Sequence, residues 1–247
     1  MRLKDKVALV TGAASGFGEG IARRFAEEGA SVLIADIAAE KGARVAAAIP
    51  RGRFHQADVA RAADVEAMIA AALDAFGAID ILVNNAGTTH RNQPMLDVDE
   101  ETFDRVYAVN VKSIYLTARA AVPVMRQQGG GAILNIASTA GVRPRPGLTW
   151  YNGSKGAAIA LTRSMAAELA PDRIRVNALN PVIGETGLTA AFMGGDSPEL
   201  RKKFVATIPL GRMSRPLDVA NAALFLCSDE AEFLTGVCLE VDGGRSI

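Results

Sequence analysis

Short β-branched apolar runs alternate along this chain with longer alanine-rich stretches, and that alternation restricts the fold more than any other feature. Val7–Val10, Ser31–Ala35, Phe54–Ala57 and Ile81–Val83 read as strands, as do Ala132–Ala137, Arg175–Ala178 and Val237–Val241. Helices are expected over Gly16–Glu28, near Ala38–Ala48 and over Ala62–Phe76, the first with Ile21 and Phe25 on one face. Continuous apolar strands are those of parallel sheets buried on both faces, and parallel strands are joined by helical crossovers. The expected fold class is therefore α/β: a single doubly wound parallel sheet (Rossmann) flanked by helices on both faces.

The 247 residues contain no linker, repeat or low-complexity tract, so 1–247 is expected to form a single domain. Residues 184–209 are rich in Gly, Thr and Met and break the alternation. They read either as a mobile substrate lid or as an ordinary pair of surface helices. Lys plus Arg and Asp plus Glu both number 27, which leaves no net charge to attract nucleic acid or an anionic membrane. Cys227 and Cys238 lie outside any Cys/His cluster, so no metal site is expected and both read as reduced thiols. The first residues run from charge into a short apolar strand without a secretory pattern, and no apolar run approaches the ~20 residues that span a bilayer. The expectation is a cytoplasmic protein.

The first strand runs into Thr11-Gly12-Ala13-Ala14-Ser15-Gly16-Phe17-Gly18 and opens a helix. Glycines there permit a tight turn and close backbone approach, while the helix N-terminus offers free N–H groups to a pyrophosphate. Gly12, Ser15, Gly16, Phe17 and Gly18 are the candidate phosphate contacts. Asp36 ends the second strand, 18 residues past Gly18. A carboxylate at that distance accepts from a ribose 2′-hydroxyl and repels a 2′-phosphate. Neither Ala13, Ala14 nor the adjoining Ile37 supplies a cation, which favours NAD over NADP. The plainer reading of Asp36 is a helix cap near Ala38. Asp58-Val59 and Asn84-Asn85-Ala86-Gly87 are expected to close the third and fourth strands, where ligands of open sheets bind. Asp58, Val59, Asn85, Ala86 and Gly87 join the nucleotide candidates.

Ser138 follows a later strand, Tyr151 lies 13 residues on, and Lys155 four after that. The last spacing puts Tyr151 and Lys155 on one helix face. A free tyrosine, with a pKa of ~10, is a poor base at neutral pH. A nearby ammonium and the positive charge of NAD⁺ lower that value. Tyr151 then exchanges the hydroxyl proton as hydride moves, and Ser138 holds the substrate oxygen.

The ordered set TGAASGFG, NNAG, Asn110, Ser138 and Tyr151-Asn152-Gly153-Ser154-Lys155 resembles the short-chain dehydrogenase/reductase family over essentially the whole chain. The resemblance implies that Tyr151 is the acid/base. Lys155 lowers its pKa and holds the nicotinamide ribose, Ser138 orients substrate, and Asn110 anchors a water in a proton relay. The family commonly follows its sixth strand with Pro-Gly. Here the segment is Asn180-Pro181-Val182-Ile183-Gly184-Glu185-Thr186, so the glycine is displaced. Pro181, Gly184 and Thr186 correspond to the nicotinamide end, with Thr186 resembling the carboxamide contact. Relatives assemble as tetramers through long helices near Val111–Met125 and Tyr151–Ala170 and through the last strand, which implies a homotetramer.

Four residues stand near the chemistry as substrate candidates: His90, Arg143, Arg145 and Trp150. The arginines suit a carboxylate or sulfonate, or else are solvated on a Pro-stiffened turn. His90 reads as a loop hydrogen-bonder rather than a second base, and Trp150 as a core wedge or a pocket wall. Within the family, TTHRN, VRPRPGLTWY, IGET and the VDGGR ending resemble the dehydrogenases of sulfonated benzylic alcohols. The function expected is thus NAD(H)-dependent interconversion of a small secondary or benzylic alcohol and its carbonyl, with an anionic aromatic substrate implied. The alternatives are a 3-oxoacyl-thioester reductase, a sugar or polyol dehydrogenase, or a catalytically silent NAD-binding protein. A serine hydrolase or P-loop enzyme is excluded by the missing GxSxG and GxxxxGK[ST] patterns.

Overall fold

The computed structural model describes residues 1–184, 187 and 189–247. Seven parallel strands form one sheet: β1 (Val7–Thr11), β2 (Ser31–Asp36), β3 (Gly52–Gln56), β4 (Ile81–Asn84), β5 (Gly131–Ile136), β6 (Ile174–Pro181) and β7 (Cys238–Val241). Their order is β3-β2-β1-β4-β5-β6-β7, the doubly wound arrangement expected from the alternation. The described helices are α1 (Gly16–Glu27), α2 (Ala39–Ala47), α3 (Ala62–Phe76), α4 (Glu100–Tyr107), α5 (Ser113–Gln128), α6 (Thr149–Leu169), α7 (Thr189–Met193), α8 (Pro198–Val205) and α9 (Pro216–Cys227).

Strand periodicity explains why both faces are covered. Side chains alternate across a pleated strand. In β1, Ala8 and Val10 join one core with Ile21 and Phe25 of α1 and Val219 and Leu224 of α9. Leu9 points the other way, into a second core with Met68 of α3, Met125 of α5 and Leu169 of α6. The β1–β4 register (Ala8↔Ile81, Leu9↔Leu82, Val10↔Val83) carries this division across the sheet. Burying a leucine-sized side chain contributes roughly 1.5–3 kcal/mol, so a one-residue slip that reversed these faces is strongly opposed.

Several strand ends depart from the sequence expectation, those of β3 and β6 among them. β3 stops at Gln56, so Asp58 lies in the loop beyond it rather than closing the strand, its Oδ1 accepting from the Ala60 N–H (2.9 Å). β6 continues past Ala178 to Pro181, because Val182 and the β7 register hold its end in the sheet. The 184–209 segment contains the short helices α7 and α8. No described helix is long and apolar enough to cross a membrane.

Candidate active site

β1 and β4 are neighbours whose crossovers leave in opposite directions, and ligands of open α/β sheets bind in the crevice at such carboxyl ends. Thr11 ties the two ends together. Its Oγ1 donates to the Val83 carbonyl (3.2 Å) and accepts from the Asn85 and Ala86 N–H groups (3.0 and 3.1 Å). The Asn85 Nδ2 donates to the Thr11 and Gly12 carbonyls (2.8 and 3.0 Å). The glycine-rich loop and the NNAG segment are therefore one hydrogen-bonded unit. Gly18 belongs to its packing: a Cβ there would collide with the Gly12 carbonyl oxygen and the Asn85 amide. Gly18, expected as a phosphate contact, lies behind the loop and is not among the described residues lining the cavity.

That cavity, of about 460 Å³, brings the two halves of the sequence together. Gly12, Ser15, Gly16 and Phe17 line it, as do Asp36, Ile37, Asp58 and Val59 from the β2 and β3 ends. Asn85, Ala86 and Gly87 line it from β4, and Pro181 and Gly184 from beyond β6. The Asp36 carboxylate accepts from the Ala14 N–H through Oδ2 and the Ala38 N–H through Oδ1, both at 2.9 Å. It thus braces the glycine loop while facing the cavity. Thr186 lies outside the described residues.

Ser138, Tyr151 and Lys155 line the same cavity. Ser138 follows β5 and caps a short turn, its Oγ accepting from the Ala140 N–H (3.1 Å). Tyr151 and Lys155 lie one turn apart in α6, and both are buried. The Lys155 Nζ donates to the Ile136 carbonyl (2.8 Å) and stands 5.9 Å from the Tyr151 ring centroid. Phe192 of α7 meets that ring edge-on at 4.9 Å.

Burial pushes the Tyr151 phenol up to about 12, with the Ser138 hydroxyl and the Arg145 charge pulling the other way. Burial lowers the Lys155 ammonium to about 8. The expected lowering of Tyr151 drew on a nearby ammonium and the positive charge of NAD⁺ together, and burial acts against it. In the bare chain desolvation opposes both charged forms, and it outweighs the neighbours.

Asn110 does not line the cavity. It sits in a π-helical turn, Ala108–Lys112, where its Nδ2 donates to the Thr88 carbonyl and the Ser154 Oγ (both 2.9 Å). Its Oδ1 accepts from the Thr88 N–H (2.9 Å), and Ser154 in turn donates to the Tyr151 carbonyl (2.7 Å). This network joins the loop after β4 to the first turns of α6.

The substrate candidates separate. Arg143 and Arg145 line the cavity; His90 and Trp150 are not among the described lining residues. His90 is buried with Nδ1 2.8 Å from the Arg91 carbonyl oxygen. Trp150 is a wedge: its Nε1 donates to the Met95 carbonyl (3.0 Å), and its ring packs edge-on against Phe103 at 5.4 Å. Among the lining residues that escaped the sequence reading are Phe192, Phe204 and Arg245. The phenylalanines fall inside the 184–209 segment, where periodicity is lost. Arg245 carried only the signal of the VDGGR ending, distant in sequence from every catalytic motif.

Residues 12–246 match the family described as Enoyl-(Acyl carrier protein) reductase. The chain is 55% identical over 252 residues to 4-formylbenzenesulfonate dehydrogenase of Comamonas testosteroni, with 100% of both chains covered. It is 42% identical to 2-(R)-hydroxypropyl-CoM dehydrogenase of Xanthobacter autotrophicus, over 97% of this chain and 98% of that one. Among solved structures it is similar to 3-ketoacyl-(acyl-carrier-protein) reductase from Brucella melitensis complexed with NADH. That match has a TM-score of 0.95 and 50% identity, covering 99% of this chain and 100% of the other. On these matches, and on a fold and motif order that agree with them, the chain is an oxidoreductase that belongs to the short-chain dehydrogenase/reductase family.

Proposed function

We propose that this protein interconverts an anionic benzylic or small secondary alcohol and its carbonyl, using NAD(H), with Tyr151 as the acid/base. The observation that carries the reading is the convergence of Ser138, Tyr151 and Lys155 on a cavity that also reaches Asp36. The nucleotide end fits NAD: a glycine loop opens α1, and the Asp36 carboxylate faces the cavity beside Ala14 and Ile37, neither of which supplies a cation for a 2′-phosphate. The NADH complex of the Brucella relative supports the same choice.

The nicotinamide, when bound, supplies or accepts the hydride; the chain handles the proton. In reduction, the Tyr151 O–H donates its proton to the substrate carbonyl oxygen as hydride reaches the carbon. In oxidation, the phenolate takes the alcohol proton. Ser138 donates to the substrate oxygen and Lys155 holds the nicotinamide ribose. Because burial raises Tyr151 and lowers Lys155 in the bare chain, the phenolate becomes accessible only with added positive charge nearby, which couples the base to cofactor binding. Asn110 positions α6 through Ser154 and anchors the relay water.

The helix pair α7–α8 forms the substrate cover, with Phe192 set edge-on against the Tyr151 ring. The arginines on the cavity and the sulfonated substrate named for the Comamonas relative support the anionic group. The working assembly is a homotetramer from one chain of 1–247, which light scattering on the purified protein checks.

The test compares NAD⁺ with NADP⁺ across paired neutral and sulfonated or carboxylated alcohols, following nicotinamide absorbance. NAD⁺ preference with higher kcat/KM for the anionic members is expected. NADP⁺ preference overturns the cofactor assignment. Preference for acyl thioesters or polyols moves the enzyme to those substrate classes.

A further inference from the structure

Arg143 and Arg145, paired in the sequence reading, do different things in the structure. Arg143 is exposed, and its Nη1 donates to the Arg245 backbone carbonyl (2.5 Å), bracing the end of the chain. Arg145 and Arg245 instead converge on one ring. Their guanidinium carbons lie 4.6 and 5.3 Å from the centroid of Phe204 in α8. Both line the cavity that holds Ser138 and Tyr151. Among the described residues neither makes an ion pair with a carboxylate. Two half-buried like charges beside an aromatic ring repel each other, and an anion between them relieves that repulsion.

The chain end is built to put Arg245 there. The Asp242 carboxylate accepts from the Gly244 N–H (2.9 Å) and the Ser246 N–H (2.7 Å), closing residues 242–246 into a tight turn. The Leu210 N–H donates to the Gly243 carbonyl (3.1 Å), docking the turn on the segment after α8.

We propose that the turn Asp242–Ser246 is a specificity element of the substrate site, in which Arg245 acts with Arg145 to bind the substrate's anionic group. Phe204 holds both guanidinium groups, Arg143 braces the turn from outside, and Asp242 is a positioning residue that acts through Arg245. Planar guanidinium forks pair bidentately with oxyanions, so two of them suit the several oxygens of a sulfonate. The inference rests on the alcohol–carbonyl reading above and assigns its anion contact.

The test uses a ligand without a reacting oxygen. Binding of 4-methylbenzenesulfonate to the NADH-loaded wild-type protein is measured by calorimetry, then repeated with Arg245→Met, Arg245→Lys and Asp242→Asn. Loss of one charge-assisted contact predicts about 10- to 100-fold weaker binding for Arg245→Met, with partial rescue by Arg245→Lys. In kinetics, the ratio of kcat/KM for sulfonated over neutral benzyl alcohol falls by the same factor, mainly through KM. Asp242→Asn moves both readouts in the same direction by less. Failure of the wild type to bind the sulfonate, or an unchanged ratio in Arg245→Met, overturns the proposal. Sulfonate binding that depends on Arg245, in a protein that oxidises no alcohol, instead overturns the reaction reading and leaves this one standing.

Discussion

The Phe17 ring lies where a Cβ on Gly184 would stand, and that same Cβ would come within 2.9 Å of the Ser214 hydroxyl oxygen. The glycine displaced from its common family position thus has a physical purpose. It lets the strand exit after β6 close on the glycine-rich loop at the start of α1. Gly184 also pairs with Ser214 as an isolated bridge and accepts from the Thr189 Oγ1 (2.8 Å), so the entry to α7 hangs from the same residue.

Gly184→Ala is accordingly expected to push Phe17 out of the nucleotide loop. Overpacking of this kind costs about 1–3 kcal/mol, which corresponds to a roughly 5- to 150-fold loss in NADH affinity. Phe17→Leu in the same chain should recover part of it, because the contact is direct. NADH fluorescence titration of the two single variants and the double variant measures the coupling. Additive effects would show that the two residues act independently.

Tyr151→Phe removes one hydroxyl from a buried ring that remains packed on Phe192. General acid/base catalysis contributes about 10²–10⁴-fold, and a loss of that size in kcat is expected for every alcohol. NADH affinity and far-ultraviolet circular dichroism should stay near wild type. Surviving turnover would remove Tyr151 from the chemistry.

Lys155 should trade stability for activity. Its ammonium is lowered by burial from an ordinary 10.5 to about 8. Below the folded value both states carry the charge, and the native state alone bears its desolvation. Between about 8 and 10.5 the unfolded chain binds more protons, so this group makes stability rise with pH across that window. Lys155→Met should abolish that rise. It should also lift Tm at pH 7 by a few degrees, about 1 kcal/mol for a chain of this size, while turnover collapses. Thermal unfolding at pH 7, 8 and 9 reads both effects. A lowered Tm would mean that the bond to the Ile136 carbonyl outweighs the buried charge.

Asp36 and the exposed Ile37 together should decide between the two nicotinamide cofactors. Asp36→Ser with Ile37→Arg removes the repulsion and adds a phosphate partner. An interaction of 1.5–3 kcal/mol to a charged group implies a shift of about 10- to 100-fold in the kcat/KM ratio toward NADP⁺. Because Asp36 also holds the Ala14 N–H, some loss of NAD⁺ activity accompanies the shift. An unchanged ratio would place the 2′ end of the ribose elsewhere.

Most of the sheet, and the residues that meet at the cavity, could be read from the chain because their signals are local. Val7–Val10 is an apolar run that leads through Thr11 into glycines, and Tyr151 and Lys155 need only helical spacing to share a face. Elsewhere a distant segment decided what spacing alone left open. Gly18 looks like a phosphate contact by spacing, and only the fold shows that Asn85 and Gly12 leave no room for a side chain there. Trp150 stands next to Tyr151 in sequence, yet helical rotation turns it to Met95 and Phe103. Local pattern determined the parallel sheet, the nucleotide loop and the Ser138–Tyr151–Lys155 set. Only tertiary structure decided the balance of burial against charge at Tyr151 and Lys155, and the meeting of Arg145 with Arg245 over Phe204. Desolvation and long-range contact depend on what the rest of the fold packs around a residue, and neither is written in its neighbours along the chain.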